Sequence, residues 1–127
     1  MNDEILIIYE KGVVSKVPTL WRETFKKIVE VFKSNDLNSL NDIEGVKNLS
    51  LDAIQEMALN ITDYGETLIS LPDETWDTSE CSYMGPCWNV IIDLFTENEG
   101  RSDLILSVKV FEKEETFEFS IQDIFVP

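Results

Sequence analysis

A chain of 127 residues, 43% of them hydrophobic, is one domain able to bury a core without disulfide or metal staples. Its 25 acidic against 10 basic residues leave a net charge of −15, which speaks against nucleic acid and anionic membranes as direct partners. Histidine is absent, so Ser-His and Cys-His pairs, an imidazole base and histidine metal ligands are all excluded.

The charge is unevenly spread. Residues 1–60 hold 10 acids and 7 bases, whereas residues 61–127 hold 15 acids and 3 bases, and no Lys or Arg occurs from Asn48 to Gly100. Such a surface attracts a basic protein and speeds the encounter, although acidity also serves plain solubility. The start, Met1-Asn2-Asp3-Glu4, is acidic where a secretory signal is positive. No apolar run approaches the ~20 residues of a membrane helix, so the expectation is a cytoplasmic protein with no membrane partner.

The opening ILIIYEKGVVSKVP is apolar and β-branched around Lys11-Gly12 and suits a short strand or an ordered arm. Pro18-Thr19 introduces a helix, with Thr19 as a cap, in which Trp21, Phe25, Ile28, Val29 and Phe32 share an apolar face. Glu23, Lys26, Lys27, Glu30 and Lys33 alternate in sign on the other face, and Ser34-Asn35-Asp36 ends the helix. A polar connector follows, tacked down by Leu37, Leu40 and Ile43, with room for a helical turn. Ser50 caps a second helix, whose buried stripe is Leu51, Ile54, Met57, Ala58 and Ile61 and whose stop is Tyr64-Gly65. No helix signal follows.

From Glu66 the chain reads as strands. ETLISLP is a short apolar passage, and TWDTSECSYM suits a strand with a phase slip near Ser79. Met84-Gly85-Pro86-Cys87 turns into WNVIIDLFT, where Trp88, Val90, Ile92 and Leu94 share a face. If that turn is the two-residue Gly85-Pro86, Cys81 faces Val90 and Cys87 faces Met84, leaving two reduced thiols; a longer loop would bring them opposite each other. LILSVKVF alternates again, with Leu104, Leu106, Val108 and Val110 on one face. KEET turns into TFEFSIQDIFV, whose alternation breaks at Asp123 and suggests a bulge. Strands joined by short turns pair antiparallel. The predicted fold is α+β: two N-terminal helices within residues 1–65, packed on one face of a three- to four-stranded antiparallel meander over residues 66–127.

DYGETLISLP, ETWDTS and MGPCWNVIIDLFTENEGRSDL together resemble a family of small, mostly uncharacterised bacterial domains. The resemblance rests on Trp88, Val90, Ile92, Asp93, Leu94, Phe95, Thr96, Glu99, Gly100, Arg101, Ser102, Asp103 and Leu104, and covers the second half of the chain well and the helical half only in outline. The family brings no established activity. Its small acidic members look like the immunity proteins that accompany bacterial toxins, including those of contact-dependent growth inhibition.

Two acidic groups are candidate sites. Thr96–Leu104 places Glu97, Glu99 and Asp103 around Arg101, with Asp93 just upstream. A calcium loop counted from Asp93 needs a glycine at its sixth position, which is Asn98, so that pattern fails and only a looser cation site would remain. A carboxylate pair, Asp93 with Glu97 or Asp103, is the one enzymatic option, and nothing in the sequence marks either as buried. The structural reading is a hairpin turn at Glu99-Gly100, organised by Gly100 and by Arg101 clamped to Asp93, Glu97 or Asp103, with Ser102 or Asp103 accepting backbone N–H groups. The second group, Asp73, Glu74, Asp77 and Glu80, surrounds Trp76, which is either an exposed anchor or, as favoured, a buried core residue.

The expectation is therefore a non-enzymatic protein with no catalytic residue, no metal and no cofactor. It would neutralise a basic toxin domain, a nuclease by preference, through Asp73, Glu74, Asp77, Glu80, Glu97, Glu99 and Asp103. The alternatives are a regulatory or housekeeping domain with another protein partner, and a small carboxylate-based enzyme.

Overall fold

The computed structural model describes residues 4–127. Apolar residues alternate within each strand, as in Trp88, Val90, Ile92 and Leu94 or Leu104, Leu106, Val108 and Val110, and give the chain a sheet with a buried face. Its five strands are β1 (Val14–Ser15), β2 (Glu80–Tyr83), β3 (Trp88–Thr96), β4 (Gly100–Lys113) and β5 (Thr116–Phe125), all antiparallel and in spatial order β1-β2-β3-β4-β5. The expected three or four strands become five because the two-residue β1 pairs with β2, through Val14 opposite Ser82 and Ser15 opposite Cys81.

Two long helices cover the buried face. In α1 (Thr19–Lys33), Trp21, Phe25, Ile28, Val29 and Phe32 are buried, as their spacing predicts. The helix does not start on a Thr19 cap. Thr19 instead accepts the Ile5 N–H on its hydroxyl (2.7 Å) and donates its own N–H to the Ile5 carbonyl (3.0 Å), tying the N-terminal arm down. Helix α2 (Leu51–Tyr64) is capped by the Ser50 hydroxyl, which accepts the Ala53 N–H at 3.2 Å, and closes on Gly65 at φ 86°. Ile54 and Met57 are buried, but Leu51 at the first turn is 54% exposed, because the stripe reaches the sheet only one turn in. A 3-10 turn (Leu37–Asp42) bridges the helices through Leu40.

These helices meet Trp88, Val90, Ile92 and Leu94 of β3, Leu104, Leu106, Val108 and Val110 of β4, and Phe119, Ile121 and Ile124 of β5. Trp21 lies edge-on to Trp88 and to Phe117, each at 5.3 Å between ring centres, and Phe25 to Phe119 at 5.5 Å. Burial of these rings is the main source of stability, at about 25 cal/mol per Å² of apolar surface. The arm crosses the sheet's end: the Trp88 indole N–H donates to the Ile8 carbonyl (2.9 Å) and the Tyr9 hydroxyl to Glu112 (2.9 Å). Burial, then the Glu112 carboxylate, pushes the Tyr9 pKa up.

Both sheet edges are blunted. On β5 the Phe119 N–H donates to Gly45 (2.8 Å), its carbonyl accepts from Lys47 (2.9 Å), and Asn60 of α2 donates to the Ile124 carbonyl (2.9 Å). The Ile124 N–H is taken by the Asp123 carboxylate at 2.8 Å. At the other edge β1 is only two residues long. Among the described residues these bonds and the short β1 reduce the run of open edge that another chain could extend. The break in alternation near Asp123 is a bulge: Ser107 faces Asp123 while Val108 faces Ile121, leaving Gln122 extra.

Candidate functional site

The sequence 66–80, expected to be strand from Thr75, is mostly not strand. It runs along the edge of β3 and satisfies that edge piece by piece. β2 pairs only with Trp88 to Ile91. Beyond it, the Ser79 hydroxyl accepts the Asp93 N–H (3.0 Å) and the Thr75 hydroxyl donates to the Asp93 carbonyl (2.7 Å). Further along, Ile69 donates to the Phe95 carbonyl (3.0 Å) and Glu97 to the Thr67 carbonyl (2.9 Å). Two hydroxyls four residues apart come together on one turn of helix and so reach the N–H and the carbonyl of the same residue, and the chain forms that turn, α3 (Thr75–Thr78). The phase slip at Ser79 is the end of that helix, and β2 starts at Glu80.

Asp93 belongs to this join and not to the hairpin turn. Its carboxylate accepts the Thr78 hydroxyl at 2.6 Å, so backbone and side chain alike hold α3. Trp76 is buried, 4% exposed, with the Arg22 guanidinium 5.1 Å above its ring. Arg22 also donates to the Val17 carbonyl (3.0 Å), and burial lowers its pKa, partly countered by Asp73 and Asp77. Trp76 is thus an anchor of the fold, and the carboxylates beside it face solvent. A shallow cleft of about 790 Å³ lies here between the arm, α1 and α3, its charges mixed: Lys16, Arg22 and Lys26 stand against Glu4, Glu23, Asp73 and Asp77.

The hairpin between β3 and β4 turns at Gly100, whose φ of 72° suits glycine. Arg101 does not clamp it. That side chain is exposed and forms no ion pair with Asp93, Glu97 or Asp103 among the described residues. The expected clamp fails because Asp93 points to Thr78 and the other two acids face water, where an exposed ion pair gains little. Tyr64, at the end of α2, holds the hairpin instead. Its hydroxyl donates to Glu99 (2.7 Å) and accepts the Asp103 N–H (3.1 Å), while Thr96 also donates to Glu99 (3.1 Å). The Asp103 N–H pulls the Tyr64 pKa down, but the hydrogen bond to Glu99, burial and the Glu99 and Asp103 charges together outweigh it and the net shift is upward. Glu99 is therefore a structural acceptor as well as a surface acid.

A second bulge lies between Asp93, opposite Ile105, and Phe95, opposite Arg101. Ser102 fills the interruption: its hydroxyl donates to the Leu94 carbonyl (2.7 Å) and accepts the Leu104 N–H (3.1 Å). The sequence pointed to Ser102 as an acceptor. It gave no sign of Tyr64, which reads as a helix stop, whereas the hydroxyl-rich TWDTS was a legible hint that side chains bond backbone there.

Asp73, Glu74, Asp77, Glu80, Glu97, Glu99 and Asp103 are all exposed. The first three flank or belong to α3 at the β3 edge, Glu80 opens β2, and the last three sit on the β3–β4 hairpin. Among the described residues Asp73 is the one of these seven in an ion pair, with Lys26 at 3.8 Å and a side chain 94% exposed, while Asp77 acts with it on the Arg22 guanidinium through its charge. Among the described residues no three cysteine or carboxylate side chains converge as a metal site would require, and no helix is long and apolar enough to cross a membrane. Both cysteines are free and buried; Cys81 faces Val90, and burial pushes its pKa up to about 11.

The model of a family described as a domain of unknown function (DUF7668) matches residues 29–127, which takes in the last five residues of α1, α2 and the strands from β2 onward. No curated protein and no solved structure gives a significant match.

Proposed function

The chain belongs to the DUF7668 family, whose function is unknown, and from its surface chemistry we propose that it is an immunity-type protein that binds and neutralises a basic toxin domain, with a nuclease as the favoured partner. The observation that carries this reading is that two pieces of the base-free stretch from Asn48 to Gly100, α3 and the β3–β4 hairpin, border the same strand and present exposed carboxylates. Glu74, Glu97 and Asp103 are exposed and form no ion pair among the described residues, so their charge acts outward, and Asp77 adds an exposed carboxylate that also faces Arg22. A nuclease cleft must attract phosphate and is accordingly basic, and an acidic cover both steers the encounter and blocks the cleft. An interface of about 1,200–2,000 Å² in total would suffice.

The test is co-expression with a basic nuclease toxin domain, taken from a neighbouring gene where one encodes it. Wild-type protein restores growth, whereas Glu74→Lys, Asp77→Lys, Glu97→Lys and Asp103→Lys combined, which take the net charge from −15 to −7, lose protection while the circular dichroism spectrum is unchanged. Each reversal adds two charges. Unchanged protection and unchanged salt dependence of binding would remove electrostatic steering from the account.

A further inference from the structure

Spacings of three and four residues put Thr19, Arg22, Glu23 and Lys26 on one face of α1, beside the buried stripe of Trp21, Phe25 and Ile28. α3 and Asp73 lie against that face and, with the arm, form the mixed-charge cleft. Arg22 is its best-held charge. The Arg22 Nε–H reaches back to the Val17 carbonyl, and the guanidinium sits over the buried Trp76 ring. Its two terminal amino groups have no hydrogen-bond or ion-pair partner among the described residues, in a chain that carries 25 acids. Asp73 pairs instead with Lys26, and Asp73 and Asp77 act on Arg22 through their charge alone. Burial lowers the Arg22 pKa, as a guanidinium partly stripped of water requires. A fork held in place and partly desolvated takes a carboxylate more strongly than a freely moving surface arginine does.

We propose that this cleft binds a segment of a partner protein in which a carboxylate stands between lysine or arginine side chains, the carboxylate on the terminal amino groups of Arg22 and the flanking bases against Glu23 and Asp77. The lining selects for both signs at once. A purely anionic ligand meets Glu4, Glu23, Asp73 and Asp77 on a molecule of net charge −15, and a purely cationic one meets Lys16, Arg22 and Lys26. A segment carrying both places each charge against its opposite, and Lys26 is already balanced by Asp73. A second copy of this chain is not the occupant, because no acid in its sequence stands directly between two bases. The inference goes beyond the immunity-type reading, which uses exposed acids alone. On a basic partner, one carboxylate seated on Arg22 would add the specificity that attraction between opposite net charges lacks.

The test is a titration of the full-length 15N-labelled protein at low ionic strength with three N-acetylated, C-amidated peptides, Lys-Glu-Lys, Lys-Gln-Lys and Ser-Glu-Ser. The Arg22 Nε–H and Trp76 indole N–H resonances shift with Lys-Glu-Lys, which binds at least ~5-fold more tightly than either of the others. Lys-Gln-Lys carries the greater positive charge, so the acidic field of the whole molecule favours it, and a preference for Lys-Glu-Lys reports the carboxylate on Arg22. Arg22→Gln removes that preference. Arg22→Lys also removes it while keeping the charge, and so covers the case in which Arg22→Gln disturbs α3. Equal affinity for Lys-Glu-Lys and Lys-Gln-Lys, or shifts confined to Glu97 and Asp103, overturns the site and leaves the immunity-type reading standing. Equal affinity for Lys-Glu-Lys and Ser-Glu-Ser overturns the need for flanking bases, and failure of all three peptides to move the two resonances overturns the site. A response to free lysine as strong as to Lys-Glu-Lys would make the occupant a small amino acid and overturn the protein partner.

Discussion

Ser102→Ala removes one oxygen, and the structure assigns that oxygen two backbone partners. The Leu94 carbonyl and the Leu104 N–H lie where the β3–β4 ladder slips between Asp93 and Phe95, and both residues are essentially buried, at 0% and 1% exposure. A buried backbone group left without a partner costs about 1–3 kcal/mol, so two cost about 2–4 kcal/mol once partial relaxation is allowed for. At about 4 °C per kcal/mol for a domain of this size, the melting temperature falls by about 8–16 °C. Urea unfolding followed by circular dichroism measures the loss, and the slope of the transition stays constant because the same surface is exposed on unfolding. Ser107→Ala is the control, since Ser107 makes no side-chain hydrogen bond among the described residues and should shift stability by less than about 0.5 kcal/mol. In hydrogen exchange the Leu104 amide loses protection in the Ser102 variant. A destabilisation below about 1 kcal/mol with normal Leu104 protection would mean that the ladder closes without the hydroxyl, and the bulge would not depend on it.

Trp76→Ala should destabilise the fold by about 3–5 kcal/mol, since it empties a buried site under Arg22; a loss of partner affinity with stability intact would restore Trp76 as an exposed anchor. Tyr64→Phe should loosen the hairpin, read as faster exchange of the Asp103 amide, and exchange at the wild-type rate would show that Glu99 and Thr96 hold the turn by themselves. The folded-state pKa of Cys81, about 11, lies above its ordinary value of 9.0, so the native state holds the proton more tightly than the unfolded chain. That contribution is present in full below about pH 9 and is lost as pH rises to about 11, a fall on the order of 2 kcal/mol that Cys81→Ala should lack. Blunted sheet edges and the strong negative charge predict a monomer by light scattering, and a concentration-dependent dimer would show that one edge is open.

Periodicity alone placed most of the architecture. The stripe Trp21, Phe25, Ile28, Val29, Phe32 and the alternations from Trp88 and from Leu104 each admit one buried face, and the two-residue Gly85-Pro86 turn sets Cys81 opposite Val90. The Ser50 cap and the Gly65 stop were equally local, because a cap and a left-handed residue are decided within one turn of helix. Charge is additive along the chain, so the acidic character of the second half was also legible without a fold.

Tertiary structure decided whatever depended on which distant groups come within hydrogen-bond reach. Thr19 serves Ile5 instead of its own helix, Thr75 and Ser79 bend a predicted strand into α3 to reach Asp93, and Tyr64 holds the hairpin in place of Arg101. Each is a long-range contact in which a polar side chain satisfies backbone or carboxylate across a gap in regular structure, and no spacing rule within a short window encodes such a partner. The acids of TENEGRSDL were visible in the sequence; that Glu99 is tied inward while Glu97 and Asp103 face solvent was fixed only when α2 brought Tyr64 against them.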